Sequence, residues 1–80
     1  MLPEHHHIDD RGWIRDQLAE LEPRRRMKAL QGYSDVYRQE FDKEPADHKK
    51  ENKARFAANS RLRAYIKAVK GSKTTLGETP

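Results

Sequence analysis

One row of side chains in the second half of the chain has the composition of a nucleic-acid-binding surface. The row repeats every three or four residues, the spacing at which side chains share one face of an α-helix. It contains five cations, one aromatic ring and one hydroxyl: Lys49, Lys53, Phe56, Ser60, Arg63, Lys67 and Lys70. Cations in such a row could follow a phosphate backbone, and the ring could stack on a base. A charge run of this kind also fits a solvated face, with Phe56 turned under a neighbouring helix.

Two binding hypotheses follow from these residues. In the first, the helix lies along DNA or RNA, and Asn52, Asn59 and Ser60 bond base edges or the backbone. The predicted nucleic-acid-binding residues are Lys49, Lys53, Arg55, Phe56, Asn59, Arg61, Arg63, Lys67 and Lys70. In the alternative, the protein binds an acidic surface of another protein, because aromatic side chains are frequent hot spots and positive charge steers the encounter. Its candidate anchors are Trp13, Tyr33, Tyr37 and Tyr65.

Other chemistry finds little support in the sequence. His5, His6 and His7 are adjacent, so on a regular backbone they point in different directions and do not converge on one metal ion. There is no cysteine, and neither a phosphate-binding glycine loop nor a nucleophile elbow is present. We therefore predict a binding protein without catalytic residues, metal or cofactor.

The basic row lies on the longest predicted helix, residues 45–70. Pro45 suits the first helical position, and Gly71 is a typical residue just beyond a helix end.

Two shorter helices precede the helix of residues 45–70. The first, residues 10–21, has Asp9 as the predicted N-cap, with Ile8 and Trp13 at staple positions. The second, residues 23–43, begins at Pro23. The apolar residues of these helices predict a core of Trp13, Ile14, Leu18, Leu30, Tyr33, Tyr37, Phe41, Leu62, Ile66 and Val69.

Gly32 leaves one alternative open in the second helix. A break around this glycine, with Ser34 capping a new helix, would give an arrangement of helices and turn like that of a helix–turn–helix. Met27, Leu30, Tyr33 and Tyr37 nevertheless keep a helical phase across the position. We therefore favour one continuous helix with a local weakness of ~1 kcal/mol at the glycine.

Composition limits the size of the fold and gives it an uneven charge. The chain has 80 residues, of which 34% are hydrophobic and 38% charged, so the core is small and self-association would help to stabilise it. Residues 1–48 contain 8 Lys and Arg against 11 Asp and Glu, a net −3, whereas residues 49–80 contain 9 against 2, a net +7. This asymmetry fits a nucleic-acid-binding face or an internal pairing of the two halves.

No membrane-length apolar run or signal peptide is evident, so a cytoplasmic location is expected.

Four short segments together resemble a group of small helical proteins encoded by temperate phages and prophages of enteric bacteria. The segments are GWIRDQLAEL, YSDVYRQEF, EP and ANSRLRAYIKAV, and the resemblance covers roughly residues 11–70. It implies a bacterial cytoplasm and a role in phage regulation, replication, recombination or host takeover. It carries over no activity and no site residues.

The expected architecture is all-α, with three helices. The long second and third helices form an antiparallel hairpin, and the short N-terminal helix packs on it. Residues 1–8 are expected to be a flexible lead, residues 9–71 a single helical domain and residues 72–80 a flexible tail.

Overall fold

Three α-helices form the part of the chain that the structure describes. The computed structural model describes the backbone of residues 2–78 and the side chains of residues 2–70. In chain order the elements are a 3-10 turn, Ile8–Asp10, then α1, Arg11–Ala19, α2, Pro23–Lys43, and α3, Asp47–Glu78. The two long helices pack side by side as a hairpin, and α1 packs on both of them. The predicted all-α fold of three helices is confirmed, and no strand occurs within residues 2–78.

Helix α2 begins where it was predicted to begin, and it is continuous at Gly32. Pro23 occupies the first turn after the extended residue Glu22. The helix runs through Gly32 without interruption, and that glycine has no positive φ. The continuous helix is therefore confirmed, and the alternative break at Gly32 is wrong.

The starts of the other two helices differ from the prediction. Asp9 is not the N-cap of α1, because α1 begins at Arg11 and Asp10 occupies the N-cap position. Asp9 lies instead in the 3-10 turn, where the Nδ1 atom of His7 accepts its backbone N–H at 3.0 Å. Pro45 precedes α3, which begins at Asp47. The connection is held instead by the Glu44 carboxylate, which accepts the Ala46 backbone N–H at 3.2 Å.

The end of α3 also differs from the prediction. Its backbone continues to Glu78, whereas the sequence predicted an end at Lys70 before Gly71. A glycine inside a helix costs about 1 kcal/mol relative to alanine, so it weakens the helix without having to end it. The predicted flexible tail, residues 72–80, lies outside the residues whose side chains the structure describes, and it stays a prediction.

The core lies where α1 covers the hairpin. Six predicted core residues are buried, namely Ile14, Leu18, Tyr33, Tyr37, Leu62 and Ile66. Trp13, Leu30 and Val69 are only partly buried against them. Phe41 was predicted to be buried but is 37% exposed, because it lies in the last turn of α2, at the end of the hairpin where the chain turns into α3. Three residues outside the predicted core list are buried as well, namely Leu21, Ala54 and Ala58.

The segment before α1 packs on the hairpin, although a flexible lead was expected. Pro3 is fully buried, and the backbone N–H of His5 donates to the Ser34 Oγ atom at 3.0 Å. His6 Nδ1 lies 2.7 Å from the Pro3 carbonyl oxygen. The segment therefore lies against the hairpin, with His5 next to α2, His7 next to Glu51 of α3 and all three histidines partly buried.

Candidate nucleic-acid interface

The outward side of α3 carries five of the predicted nucleic-acid-binding residues. We call this surface the basic face and define it as Lys49, Lys53, Phe56, Arg63 and Lys67, all of which are exposed. Steps of three and four residues keep them on the side of the helix opposite the buried Ala54, Ala58 and Leu62. Phe56 is 75% exposed, so the expectation that it turns under a neighbouring helix is wrong.

The basic face has few carboxylates near it. Between Lys49 and Lys70 the only acidic residue of α3 is Glu51. Its carboxylate points to the N-terminal segment, where it contacts His7 Nε2. Within residues 2–70, Lys49 and Lys67 have no ion-pair partner. The positive charge of this surface is therefore largely uncompensated.

Two members of the basic face do have neighbours. The Lys53 ammonium lies 3.8 Å from the Glu44 carboxylate, which is a long and weak ion pair. The Arg63 guanidinium lies over the indole of Trp13, 5.2 Å from the ring centroid. This cation–π contact leaves Arg63 exposed and places Trp13 at the border of the basic face.

Arg55 and Asn59, also predicted to bind nucleic acid, are turned towards α1 and bind within the protein. Arg55 forms a two-pronged ion pair with Asp10, with N–O distances of 2.8 and 2.9 Å. Asn59 donates to the same carboxylate at 3.1 Å and accepts a hydrogen bond from the Tyr33 hydroxyl. These four residues, Asp10, Tyr33, Arg55 and Asn59, form a network that joins the start of α1 to both helices of the hairpin.

The network changes the acidity of its members. The hydrogen bond from Arg55 lowers the pKa of Asp10 below its ordinary value of 3.8, burial opposes the change, and Asn59 adds to it. Burial and the nearby Asp10 charge raise the pKa of Tyr33, so its hydroxyl stays protonated and able to donate. Tyr37 also has a raised pKa because of its burial and the neighbouring Glu51.

The last two predicted residues lie away from the basic face. Lys70 pairs with the Glu20 carboxylate just beyond the end of α1. Arg61 is exposed beside Gly32 and borders a groove between α2 and α3 with a volume of about 480 Å³. The structure thus divides the nine predicted residues among an outward face, an internal network and the two flanks of α3.

The residues that the sequence reasoning missed are those that make internal polar contacts. Neither Asp10 nor Lys50 was among the predicted site residues. The Lys50 ammonium binds the carbonyl oxygens of Glu44 and of Phe41, the latter at 3.2 Å, and so caps the end of α2. Asp10 lies 45 residues before Arg55, and Phe41 and Glu44 lie nine and six residues before Lys50. All three partners lie outside α3, so helical spacing gave no signal for these pairs.

Metal-ligand clusters and membrane-spanning helices are both absent from the described residues. Within them, no three His, Cys, Asp or Glu side chains are grouped closely enough to hold a metal ion. None of the described helices combines the length and apolar character that crossing a membrane requires.

Comparison with known proteins adds no relationship from which a function could be transferred. No protein-family model matches the chain, and neither the curated proteins nor the solved structures contain a significant match. The chemistry of the surface itself is therefore what indicates a function.

Proposed function

We propose that the protein binds single-stranded nucleic acid through the basic face of α3. The observation that carries this proposal is the position of Phe56, a ring that is 75% exposed and has cations one to three helical turns away in both directions. Cations neutralise phosphates, and an accessible aromatic ring provides a stacking surface for a base. The bases of a single strand are free to stack, whereas those of an intact duplex are not.

The protein-partner alternative loses most of its anchors in this structure. Tyr33 and Tyr37 are buried in the core, and Trp13 is half-buried beneath Arg63. Hot spots must be reachable by the partner, and of the four suggested aromatic residues Tyr65 is the one that is partly exposed and has no cation over its ring. A single-strand-binding protein would also suit an accessory role in phage replication or recombination, the setting that the resemblance implies.

The number of cations sets the expected salt dependence. The basic face has four cations, so it can neutralise about four phosphates, and log Kd should change with log salt with a slope of at most about 3 for a single strand. The measurement is fluorescence anisotropy of a labelled 20-nucleotide oligo-dT, repeated between about 50 and 200 mM salt. Because Trp13 lies against Arg63, its emission should also change when the strand occupies this face.

Charge reversal at two unpaired positions tests the location of the site. The double variant Lys49→Glu/Lys67→Glu should weaken oligo-dT binding at least tenfold, and it should weaken binding to other sequences about equally, because phosphate contacts do not read bases. Arg24→Glu/Arg38→Glu makes the same change in net charge on exposed positions of α2 and should have a smaller effect. Equal losses in both double variants, or no loss in the first, would overturn the proposed site.

Removal of the ring tests the preference for single strands. Phe56→Ala should weaken binding to oligo-dT about tenfold, in line with ~1–3 kcal/mol per stacked base, and should affect a duplex of equal length much less. Met27→Ala is the matched control, because Met27 is 55% exposed on α2 and lies off the basic face. Equal effects of Phe56→Ala on single-stranded and duplex DNA would contradict the stacking role.

A further inference from the structure

The groove between α2 and α3 has the features of a separate binding site. It is lined mainly by apolar and small side chains, with Tyr33 and Leu62 at its base and Tyr65 beside them. Its volume of about 480 Å³ lies in the range of small-molecule sites, which are typically apolar with a few polar groups that fix orientation. No residue of α1 contributes to its lining, so the groove belongs to the hairpin alone.

Gly32 keeps the α2 side of the groove open. The backbone there is ordinary α-helix, so no positive φ requires a glycine, and alanine would favour the helix by about 1 kcal/mol. A Cβ atom built on Gly32 would lie 3.7 Å from the Arg61 Nε atom. The Arg61 side chain therefore lies across the bare backbone of α2, and anything larger than a methyl group at position 32 would enter the space next to it.

Two cations border this apolar space and lack counter-charges. Lys28 and Arg61 are both exposed, and neither has an ion-pair partner within residues 2–70. They come from different helices, and both line the groove. A carboxylate at the rim could bind the Arg61 guanidinium through two hydrogen bonds, the geometry in which arginine binds carboxylates most strongly.

We propose that this groove binds a small amphipathic carboxylate, with an aromatic body against Leu62 and Tyr65 and its carboxylate at Lys28 and Arg61. The apolar lining accounts for the body and the two unpaired cations account for the acid group. The site is independent of the proposed nucleic-acid function, because neither cation belongs to the basic face.

The test uses 4-phenylbutyrate as the probe and ¹H–¹⁵N spectra of the full chain as the readout. Saturable shifts should be confined to residues around the groove, such as Ala29, Gly32 and Ala64. Butyrate lacks the ring and 4-phenyl-1-butanol lacks the charge, so each should bind at least tenfold more weakly. Shifts that are scattered or do not saturate, or equal binding of the alcohol, would overturn the proposal.

Variants separate the charge contribution from the shape contribution. Lys28→Gln and Arg61→Gln should each weaken phenylbutyrate binding about fivefold to tenfold, whereas Arg24→Gln, on the same helix as Lys28 but outside the lining, should leave it unchanged. Gly32→Leu should abolish binding by filling the groove. Because the glutamine variants alter exposed side chains and leave the core intact, unchanged affinity in both of them would contradict the site whether or not Gly32→Leu folds.

Discussion

Asp10 connects the start of the short first helix to the hairpin through its carboxylate. Its carboxylate receives two hydrogen bonds from Arg55 and one from Asn59, both on α3. Its side chain is 15% exposed, so the interaction is screened less than a surface ion pair would be. Removal of the carboxylate would leave the Arg55 guanidinium with a partly buried and unpaired charge.

Asp10→Ala should therefore lower the free energy of unfolding by about 2 kcal/mol, the usual contribution of hydrogen bonds to charged groups. Urea denaturation followed by circular dichroism measures the change. Asp9→Ala is the matched control, because the Asp9 side chain is 69% exposed and lies 3.7 Å from His7 Nδ1, so its removal should change stability by less than about 0.5 kcal/mol. Similar losses in the two variants would show that the Asp10 network does not stabilise the fold.

The lowered pKa of Asp10 predicts how this contribution depends on pH. Because the folded-state pKa lies below the ordinary value of 3.8, the carboxylate stabilises the fold fully above that value. The stabilisation is lost as the pH falls from 3.8 through the folded-state pKa. The stability difference between the parent protein and Asp10→Asn should be constant from pH 5 to 7 and should shrink below about pH 4. A difference that grows with acidity would contradict the assigned direction.

At the scale of the helices, cations from neighbouring elements bind the carbonyl groups that each helix end leaves free. Arg26 of α2 donates to the Leu18 carbonyl at 3.0 Å and to the Leu21 carbonyl at 2.9 Å, which closes the end of α1. Lys50 of α3 does the same for the end of α2. The ends of α1 and α2 are thus each bound by a cation from the first or second turn of the helix that follows. Arg26 and Lys50 therefore stabilise the fold and do not serve as free surface charges.

Gly32 provides a test of α2 as a continuous helix. Gly32→Ala should raise the stability by up to about 1 kcal/mol, or roughly 4–8 °C in Tm for a domain of this size, because alanine loses less backbone entropy. The added Cβ would meet Arg61 at an ordinary contact distance of 3.7 Å, so no clash opposes the gain. Thermal unfolding measures the change, with Gly12→Ala as a companion because nothing lies within 4 Å of its added Cβ. A lower Tm for Gly32→Ala would contradict the helical conformation of this residue.

At the scale of the whole molecule, a small core supports a large charged surface. Among residues 2–70, the nine buried hydrophobic residues include two alanines and two tyrosines, so few large aliphatic side chains in this part of the chain stabilise the fold. Folding free energies are typically about 0.05–0.15 kcal/mol per residue, and a domain with this core is expected to lie towards the lower limit. Loss of one buried aliphatic side chain should therefore lower the free energy of unfolding of the entire domain by a large fraction.

Leu62→Ala and Phe56→Ala form a contrasting pair on the same helix. Leu62 is 3% exposed, and its truncation should cost about 2–4 kcal/mol through lost burial and a residual cavity. Phe56 is 75% exposed, so its truncation should leave the stability almost unchanged despite the larger side chain. Calorimetric unfolding of the two variants measures the difference. A strong destabilisation by Phe56→Ala would mean that the ring packs in solution and that the proposed stacking surface is unavailable.

The sequence by itself determined the helices and much of the core. Proline at the start of α2, the apolar periodicity through Gly32 and the Ala- and Lys-rich run of α3 are local signals, acting between residues three or four apart. They predicted an all-α hairpin with Tyr33, Tyr37, Leu62 and Ile66 inside. The predicted helix boundaries at Asp9, Pro45 and Lys70 were less accurate. At Asp9 and Pro45, contacts with residues outside the helix decide where the helix begins. At Lys70, the helix continues through the glycine that follows.

Only the tertiary structure decided what each charged residue of α3 does. The sequence does not distinguish Arg55 from Arg63. In the structure, Arg55 forms an ion pair with Asp10, 45 residues earlier in the chain, whereas Arg63 stays on the surface over Trp13. Helical spacing states which side chains share a face, but the direction of that face depends on where α1 and α2 pack. Because α1 covers one flank of α3 and leaves the other open, the same helix presents an internal network, a basic outward face and a groove.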